Sequence, residues 1–347
     1  MKSANLIPNY YSYLLRVGGK NLSNIQKEYF FNCVNKIYKN NDKFIYRGDK
    51  KEKLYSIYGL KHIYNDDNNF QDKLFVLGAK ATMFLTNDIP GLNQIDIDQA
   101  DNNVFSYIFR MLSNLLQRTS AFGSIGRSMY HFRKKEETLN DFFCKSSNES
   151  IFITNTNKLN SKEQIIVRDY YLALLHHVSK SEYYSSSFLL STTTNFSQAY
   201  KFAWRREDTD SQNPLIIFGW IPNQYEGILS VPDSRILKTK VDMEAYNLPV
   251  YEKSFFPFQQ EITLKGGLLP HYLLGYLHRN GADEIFEINP TLFQTDDLWD
   301  GIELPVDQRN FNQRIQNTLF GRYFSIECNN AENTNDVIYR TLKNKKT

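Results

Sequence analysis

Cysteine is scarce in this 347-residue sequence, which has three cysteines, Cys33, Cys144 and Cys328. Cysteines so far apart suit neither a disulfide framework nor a zinc-finger spacing, so both of those protein classes are excluded. Long hydrophobic runs are missing too, because runs such as residues 215–220 and 268–274 fall well below the about 20 residues of a membrane span. We therefore expect reduced thiols, no metal and no membrane-spanning segment.

An excess of charge of one sign is also missing. Lys and Arg total 41 against 38 Asp and Glu, which leaves a net charge of +3. This balance does not support electrostatic binding of nucleic acid over a wide surface. Residues 1–20 lack a charged start followed by an apolar core, so we expect no Sec-dependent export and a cytoplasmic location.

Aromatic residues, in contrast, are abundant. The chain has 23 Tyr and 25 Phe, and 41% of its residues are hydrophobic, so it is not broadly disordered. The codon bias of an AT-rich genome explains this composition. The alternative is a surface that stacks bases, which requires aromatic and basic residues in one groove, and composition does not reveal such an arrangement.

The spacing of apolar residues predicts a helical first half and a β-rich second half. Helices are predicted over residues 24–38, 72–85, 103–116 and 162–178, and again over 310–320. Short strands are predicted over residues 188–191, 215–221, 227–231, 259–264 and 284–288. The polar stretch 145–161, with an apolar run at 151–153, is predicted to be a loop or an edge element.

This order of elements, without regular βαβ alternation, predicts an α+β fold rather than a doubly wound parallel sheet. Two regions follow from the change in pattern. Residues 1–180 form a mainly helical region that contains one short strand ending at Arg47, and residues 181–347 form a β-rich core with a helical tail.

Three short segments contain candidate functional residues. The first is Tyr46-Arg47-Gly48, where a strand ends in an arginine whose planar fork suits phosphate and in a glycine that permits close backbone approach or positive φ. The second is Ser191-Thr192-Thr193, where an apolar strand runs into hydroxyl residues before a helix. A plain strand-to-helix turn with a good N-cap explains that pattern equally well.

The third segment is Gln259-Gln260-Glu261. If it is a strand, side-chain alternation points Gln259 and Glu261 into the same space. A glutamate on a strand is usually a solvated residue, but the aromatic residues before this one favour a functional site.

In this order, the three segments resemble those of the mono-ADP-ribosyltransferases of the arginine–serine–glutamate type. That family has an arginine ending an early strand, a Ser-Thr-Ser-like motif and a Glu/Gln-x-Glu motif. The resemblance implies an ADP-ribosyltransferase-like split β-sandwich, here with a large helical N-terminal part or insertion, and one compact ADP-ribosyltransferase unit overall. It covers residues 187–276 and a short stretch near Arg47. Two departures are Thr193 in place of the second serine and the wide interval before Ser191, so Arg133 is the alternative arginine.

The resemblance also implies roles for individual residues. The substrate would be NAD, used without a metal. Glu261 would be catalytic together with Gln259 and Ser191, and Arg47 would bind the diphosphate. Further NAD-binding residues would be Ser191, Thr192, Thr193, Tyr200 and Phe202, although core packing is the alternative for the last two.

The Gln-x-Glu form of the third motif is similar to that of family members with non-arginine acceptors. The resemblance therefore implies transfer to a nucleic-acid base, in RNA or DNA, or to an Asn, Gln or Cys side chain of a protein. Phe255, Phe256 and Phe258 would contact the acceptor. A bacterial toxin of a toxin–antitoxin or anti-phage system, restrained by an antitoxin protein, is the expected context. The alternatives are an injected or secreted effector and an inactive binding module on the same scaffold.

Overall fold

The chain separates into two compact units that interleave along the sequence. The computed structural model describes residues 8–57, 70–71, 74–75, 78–79, 100–117, 137–178, 189–204, 213–223, 230–231, 239–251, 257–265, 267–268 and 272–293. Unit 1 comprises Met1–Thr86, Leu190–Leu229 and Phe258–Thr347, and unit 2 comprises Asn87–Leu189 and Ser230–Pro257. Composition, in contrast, suggested a single change of character after residue 180.

Eight strands of the described residues form one mixed sheet. They are β1 (Leu14–Val17), β2 (Lys20–Asn21), β3 (Lys43–Lys50), β4 (Leu189–Thr193), β5 (Pro214–Ile221), β6 (Glu261–Lys265), β7 (Leu273–Asn280) and β8 (Asp283–Ile288). Their order is β2-β1-β8-β7-β5-β3-β4-β6. β1 runs parallel to β8, whereas the β3–β5, β5–β7 and β7–β8 pairs are antiparallel. The mixed sheet and its accompanying helices agree with the predicted α+β class.

Seven α-helices lie in the described residues. They are α1 (Asn24–Lys39), α2 (Lys51–Ile57), α3 (Asn102–Gln117), α4 (Glu137–Phe143), α5 (Asn148–Thr156), α6 (Ser161–Val178) and α7 (Phe196–Ala203). The predicted helices 24–38, 103–116 and 162–178 are confirmed as α1, α3 and α6. Helix α1 begins with a capping box in which Ser23 and Gln26 satisfy each other's backbone N–H groups. No helix in these stretches is long and apolar enough to cross a membrane.

An aromatic cluster fills the space between the sheet of unit 1 and its helices. Its members are in mutual ring contact: Tyr10, Phe30, Tyr46, Phe196, Phe218 and Phe286. Phe30 comes from α1 and Phe196 from α7, so both helices pack on one face of the sheet. Since strand side chains alternate, Arg47, next to Tyr46, lies on the opposite face.

Unit 2 has a helical core built around Phe152 of α5, which is fully buried. Its ring contacts Phe105 and Phe109 from α3, Phe143 from α4 and Tyr171 from α6. The prediction of a loop or edge element around residues 151–153 is therefore wrong. Tertiary packing of one aromatic side chain overrides the weak helical propensity of this short, β-branched segment.

Several sequence predictions fall outside the part of the chain that the structure describes. They include most of the predicted helix 72–85, the whole helix 310–320 and most of the strand 227–231. Within the described part, β1, β2 and β7 were not predicted. β7 contains Gly275 at φ 157°, and its Leu-Leu-Gly-Tyr-Leu run is buried throughout, so it has neither helical nor alternating periodicity.

Candidate functional site

The three motif segments lie on three neighbouring strands. Arg47 is on β3, Ser191 is on β4, and Glu261 is the first residue of β6, and these strands are consecutive in the sheet. β3 and β4 are antiparallel, with Tyr46 opposite Thr193. Segments separated by 144 residues in the chain are thereby brought into contact, as between Arg47 and Ser191.

Arg47 links β3 to β4 through its guanidinium group. The side chain is 9% exposed. Its Nε donates to Asp49 Oδ2 at 2.8 Å, its Nη2 lies 2.7 Å from the same oxygen, and its Nη1 donates to the carbonyl oxygen of Ser191 at 2.7 Å. The arginine therefore meets the serine motif at the backbone carbonyl of Ser191.

The glycine of the Tyr-Arg-Gly segment is explained by a helix. A Cβ atom added to Gly48 would lie 2.0 Å from the carbonyl oxygen of Ala199, 2.7 Å from the amide nitrogen of Ala203 and 2.9 Å from Cβ of Phe202. No real Cβ makes such contacts, so glycine lets α7 press directly on β3. Of the two expected reasons for this glycine, close backbone approach is the one that applies.

The hydroxyl motif holds the turn that carries Glu261. Thr192 Oγ1 donates to the carbonyl oxygen of Ile262 at 2.7 Å, and Thr193 Oγ1 donates to the carbonyl oxygen of Gln259. The amide of Thr194 donates to the carbonyl oxygen of Gln260 at 3.1 Å. Thr192 and Thr193 are buried, so the hydroxyl groups fix the backbone on either side of the glutamate.

The Gln259-Gln260-Glu261 segment is a turn entering a strand, not a continuous strand. Pro257–Gln259 forms a 3-10 turn, Gln260 has φ 48°, and β6 begins at Glu261. Strand alternation therefore does not relate Gln259 to Glu261, and that step of the prediction is wrong. Positive φ is costly for glutamine, and such strain is often stored beside functional groups. Gln259 and Glu261 are both half-buried, as is Ser191.

The proposed NAD-contact residues on α7 have identifiable packing partners. The ring of Tyr200 lies 4.6 Å from that of Trp204, and the Arg279 guanidinium lies 5.2 Å from the Tyr200 ring. Tyr200 also receives a hydrogen bond from Arg279 at its hydroxyl group. Phe202 packs its Cβ toward Gly48 of β3. The contacts of Tyr200 are packing contacts with Trp204 and Arg279, whereas the contact of Phe202 with β3 is made by its Cβ atom.

The expected acceptor contacts are described in part. Phe258 lies in the turn before Glu261 and is 65% exposed, so it offers a ring to a ligand in solution. Phe255 and Phe256 lie outside the described residues, and so does Arg133, the alternative arginine. The Tyr-Arg-Gly context in the sequence therefore remains the reason for preferring Arg47 to Arg133.

Sequence reasoning missed a buried polar cluster on β7 and β8. Glu287 is 2% exposed, it accepts a hydrogen bond from the Gly19 amide at 3.4 Å, and its Oε1 lies 4.0 Å from His278 Nε2. Burial raises the pKa of Glu287 and lowers the pKa of His278 to about 4, the latter with help from the positive charges of Lys51 and Arg16. A glutamate inside the apolar Ile-Phe-Glu-Ile run was the available signal.

Metal chemistry has no candidate site in the described stretches, where no three His, Cys, Asp or Glu side chains group to hold an ion. In comparisons with protein-family models, curated proteins and solved structures, nothing matched this chain.

Proposed function

We propose that this chain is an NAD-dependent mono-ADP-ribosyltransferase. The observation that supports the proposal most strongly is the arrangement of Arg47, Ser191 and Glu261 on three consecutive strands, with Arg47 bonded to the Ser191 carbonyl. Arginine, serine and glutamate in this order resemble the family's sequence motifs, and the strands that carry them are neighbours in the sheet. The split β-sandwich form of the α+β fold belongs to the same proposal.

The reaction would break the bond between nicotinamide and ribose. Such bonds cleave through an oxocarbenium-like transition state, which a fixed carboxylate stabilises. Glu261 would bond a ribose hydroxyl and face the developing positive charge. Ser191 would brace Glu261, and Arg47 would bind the diphosphate by charge-assisted hydrogen bonds.

The hydroxyl groups of the second motif would preorganise the catalytic carboxylate. Thr192 and Thr193 bond the backbone on both sides of Glu261, so its Cα has little freedom to move. A carboxylate that is already in place loses no free energy to reorganisation when charge develops. Replacement of the family's second serine by Thr193 therefore retains the hydroxyl bond on which this role depends.

The acceptor would be something other than arginine, because Gln259 takes the place of the family's first glutamate. An amide donates and accepts hydrogen bonds, which suits a nucleic-acid base or an Asn, Gln or Cys side chain. The exposed ring of Phe258 is next to this position, and base stacking on an aromatic ring contributes about 1–3 kcal/mol. As a biological context we propose a cytoplasmic toxin of a toxin–antitoxin or anti-phage system.

Incubation with NAD labelled on the adenosine side, with separate pools of RNA, DNA and cell protein, tests this proposal. Label should appear on one pool, with release of nicotinamide. Glu261→Gln is expected to slow nicotinamide release by at least about 100-fold, as for loss of a preorganised stabilising group. Glu284→Gln is the control, since Glu284 is also a half-buried strand glutamate but binds Arg279. Equal rates for wild type and Glu261→Gln would refute the catalytic role.

A further inference from the structure

Asp49 lies two residues after Arg47 on β3, on the same face of the sheet, and is 4% exposed. Its Oδ2 contacts both Nε and Nη2 of Arg47, at 2.8 and 2.7 Å. Its Oδ1 accepts a hydrogen bond from the amide of Lys50 at 3.0 Å, and Lys53 Nζ lies 3.9 Å away. The carboxylate is therefore itself held in place while it holds the guanidinium group.

This contact sets the direction of the guanidinium plane. Two contacts to one carboxylate oxygen prevent the group from rotating, and they leave Nη1 against the Ser191 carbonyl at 2.7 Å. An arginine side chain has several torsions, and burial alone would not select this orientation. Stability alone does not explain the pair either, because a buried ion pair is often no more stabilising than packed apolar side chains.

We propose that Asp49 is a positioning residue for the diphosphate site. It fixes the Arg47 guanidinium in the orientation that receives the diphosphate of NAD, without touching the substrate itself. This inference rests on the proposed function. The sequence offered one signal for it, since Asp49 directly follows the Tyr46-Arg47-Gly48 segment.

The test compares two aspartates of similar burial at opposite ends of β3. Asp42 is 8% exposed and accepts a hydrogen bond from the amide of Asn223 at 2.9 Å. Asp49→Asn and Asp42→Asn are assayed for nicotinamide release, with ADP-ribose and nicotinamide as competitive inhibitors. ADP-ribose carries the diphosphate and nicotinamide lacks it. Thermal unfolding followed by circular dichroism accompanies each variant.

For Asp49→Asn, we expect the KM for NAD and the inhibition constant of ADP-ribose to rise about tenfold, as for loss of one charge-assisted hydrogen bond. The kcat and the inhibition constant of nicotinamide should stay within about twofold, since Asp49 does not act on the reacting bond. Asp42→Asn should leave all four constants unchanged within about twofold. If Asp49→Asn does not fold, Asp49→Glu, which moves the carboxylate by one methylene, should show the same pattern to a smaller extent.

An unchanged inhibition constant for ADP-ribose would overturn the inference, as would an equal loss for nicotinamide, which would indicate general damage. A wild-type chain that neither releases nicotinamide nor binds ADP-ribose would instead overturn the proposed function, and the inference with it. If the wild-type chain releases nicotinamide and binds ADP-ribose but the Asp49 variant has a normal KM, the inference fails while the proposed function stands.

Discussion

Gly48 determines, at the scale of one residue, how closely a helix approaches the strand that carries Arg47. The backbone of α7 occupies the space that a Cβ atom of Gly48 would need. The segment following the hydroxyl motif therefore sits directly on the segment of the arginine motif. The close approach of these two distant parts of the chain therefore depends on residue 48 carrying a hydrogen atom where other residues carry a side chain.

Gly48→Ala is predicted to destabilise the protein by about 3 kcal/mol, at the upper end of the usual cost of overpacking. The added Cβ would meet backbone atoms of Ala199 and Ala203, which cannot move like the end of a side chain. Urea unfolding measures the change. Lys201→Ala, an exposed change on the same helix, should stay within about 0.5 kcal/mol. Equal stability of the two variants would contradict this explanation.

His278 is a second residue whose surroundings have a measurable consequence. Its neutral form is favoured by burial, by Lys51 and by Arg16, so its pKa falls from 6.5 to about 4. A histidine with a lowered pKa stabilises the fold above pH 6.5, and this contribution is lost as the pH falls toward 4. The raised pKa of Glu287 has the opposite effect on stability. As the pH falls, the folded protein binds this proton before the unfolded chain does, which stabilises the fold.

Between pH 7 and pH 4, His278 is predicted to remove about 3 kcal/mol of stability, because a tenfold change in proton affinity corresponds to about 1.4 kcal/mol. His278→Gln should flatten the fall, because it removes the histidine that takes up a proton over this range, while Glu287 is present in both proteins. Urea unfolding at several pH values measures the difference. Asn280→Gln, an exposed and non-titrating change at the end of the same strand β7, is the control and should follow the wild-type curve. A His278→Gln curve parallel to that of the wild type would show the reasoning to be wrong.

The turn before β6 is defined, at the scale of elements, by hydrogen bonds from another strand. Thr193 Oγ1 donates to the Gln259 carbonyl and accepts from the Asn195 amide at 2.9 Å. One hydroxyl group therefore connects the end of β4, the start of α7 and the turn. Removing it leaves two backbone groups without this partner, in a place that is mostly inaccessible to water.

Thr193→Val, which keeps the shape but not the hydroxyl, is predicted to cost about 2 kcal/mol of stability, within the usual range for buried groups left unbonded. Nicotinamide release should fall as well, because the backbone that carries Glu261 becomes less fixed. Thr193→Ser keeps the hydroxyl and should lose at most about 1 kcal/mol, the value of one methyl group. If serine and valine were equally damaging, packing rather than hydrogen bonding would be responsible.

Elements with strong periodicity were predictable from the sequence, and those defined by tertiary contacts were not. Helices α1 and α3 show an apolar stripe, and β5 is a continuous apolar run with a proline at its start. Helix α5 was missed because Phe152 packing, not propensity, makes it helical. The turn at Gln260 was missed because positive φ at a glutamine has no sequence signature, and it depends on Thr193 and Thr194.

The order of strands shows, at the scale of the whole molecule, which features of the candidate site the sequence could indicate and which it could not. Candidate residues were recognisable from motif chemistry, since Arg47, Ser191 and Glu261 each carry a functional group in a typical context. That these residues lie on neighbouring strands could not be derived from the sequence, because the β3-β4-β6 order joins three distant stretches of chain. Asp49 was missed because an aspartate after a glycine usually indicates a turn, whereas here it continues the strand.

Unit 1 requires the last described strands, whereas unit 2 lies entirely before residue 258. A chain shortened to residues 1–257 lacks β6, β7 and β8, so β5 loses its neighbour on one side. We predict that this chain loses the packed sheet but keeps helical circular dichroism from unit 2. Trp220, fully buried in β5 and in ring contact with Tyr272, reports on the sheet. In a background with Trp204→Phe and Trp299→Phe, which leaves Trp220 as the one tryptophan of both chains, its fluorescence should shift to the red, and an unshifted spectrum would contradict the prediction.

The pairing of β1 with β8 has a consequence for the order of events during synthesis. Leu14 lies opposite Ile285, so the strand made first has to wait for one of the last described strands before it can join the sheet. Glu261 is likewise translated long after Arg47. Since non-local pairing forms late, a ribosome-bound chain of this kind would stay inert until nearly all of these strands had emerged. Under the proposed function, this order would keep a nascent chain from acting on NAD until β6, with Glu261, has been translated.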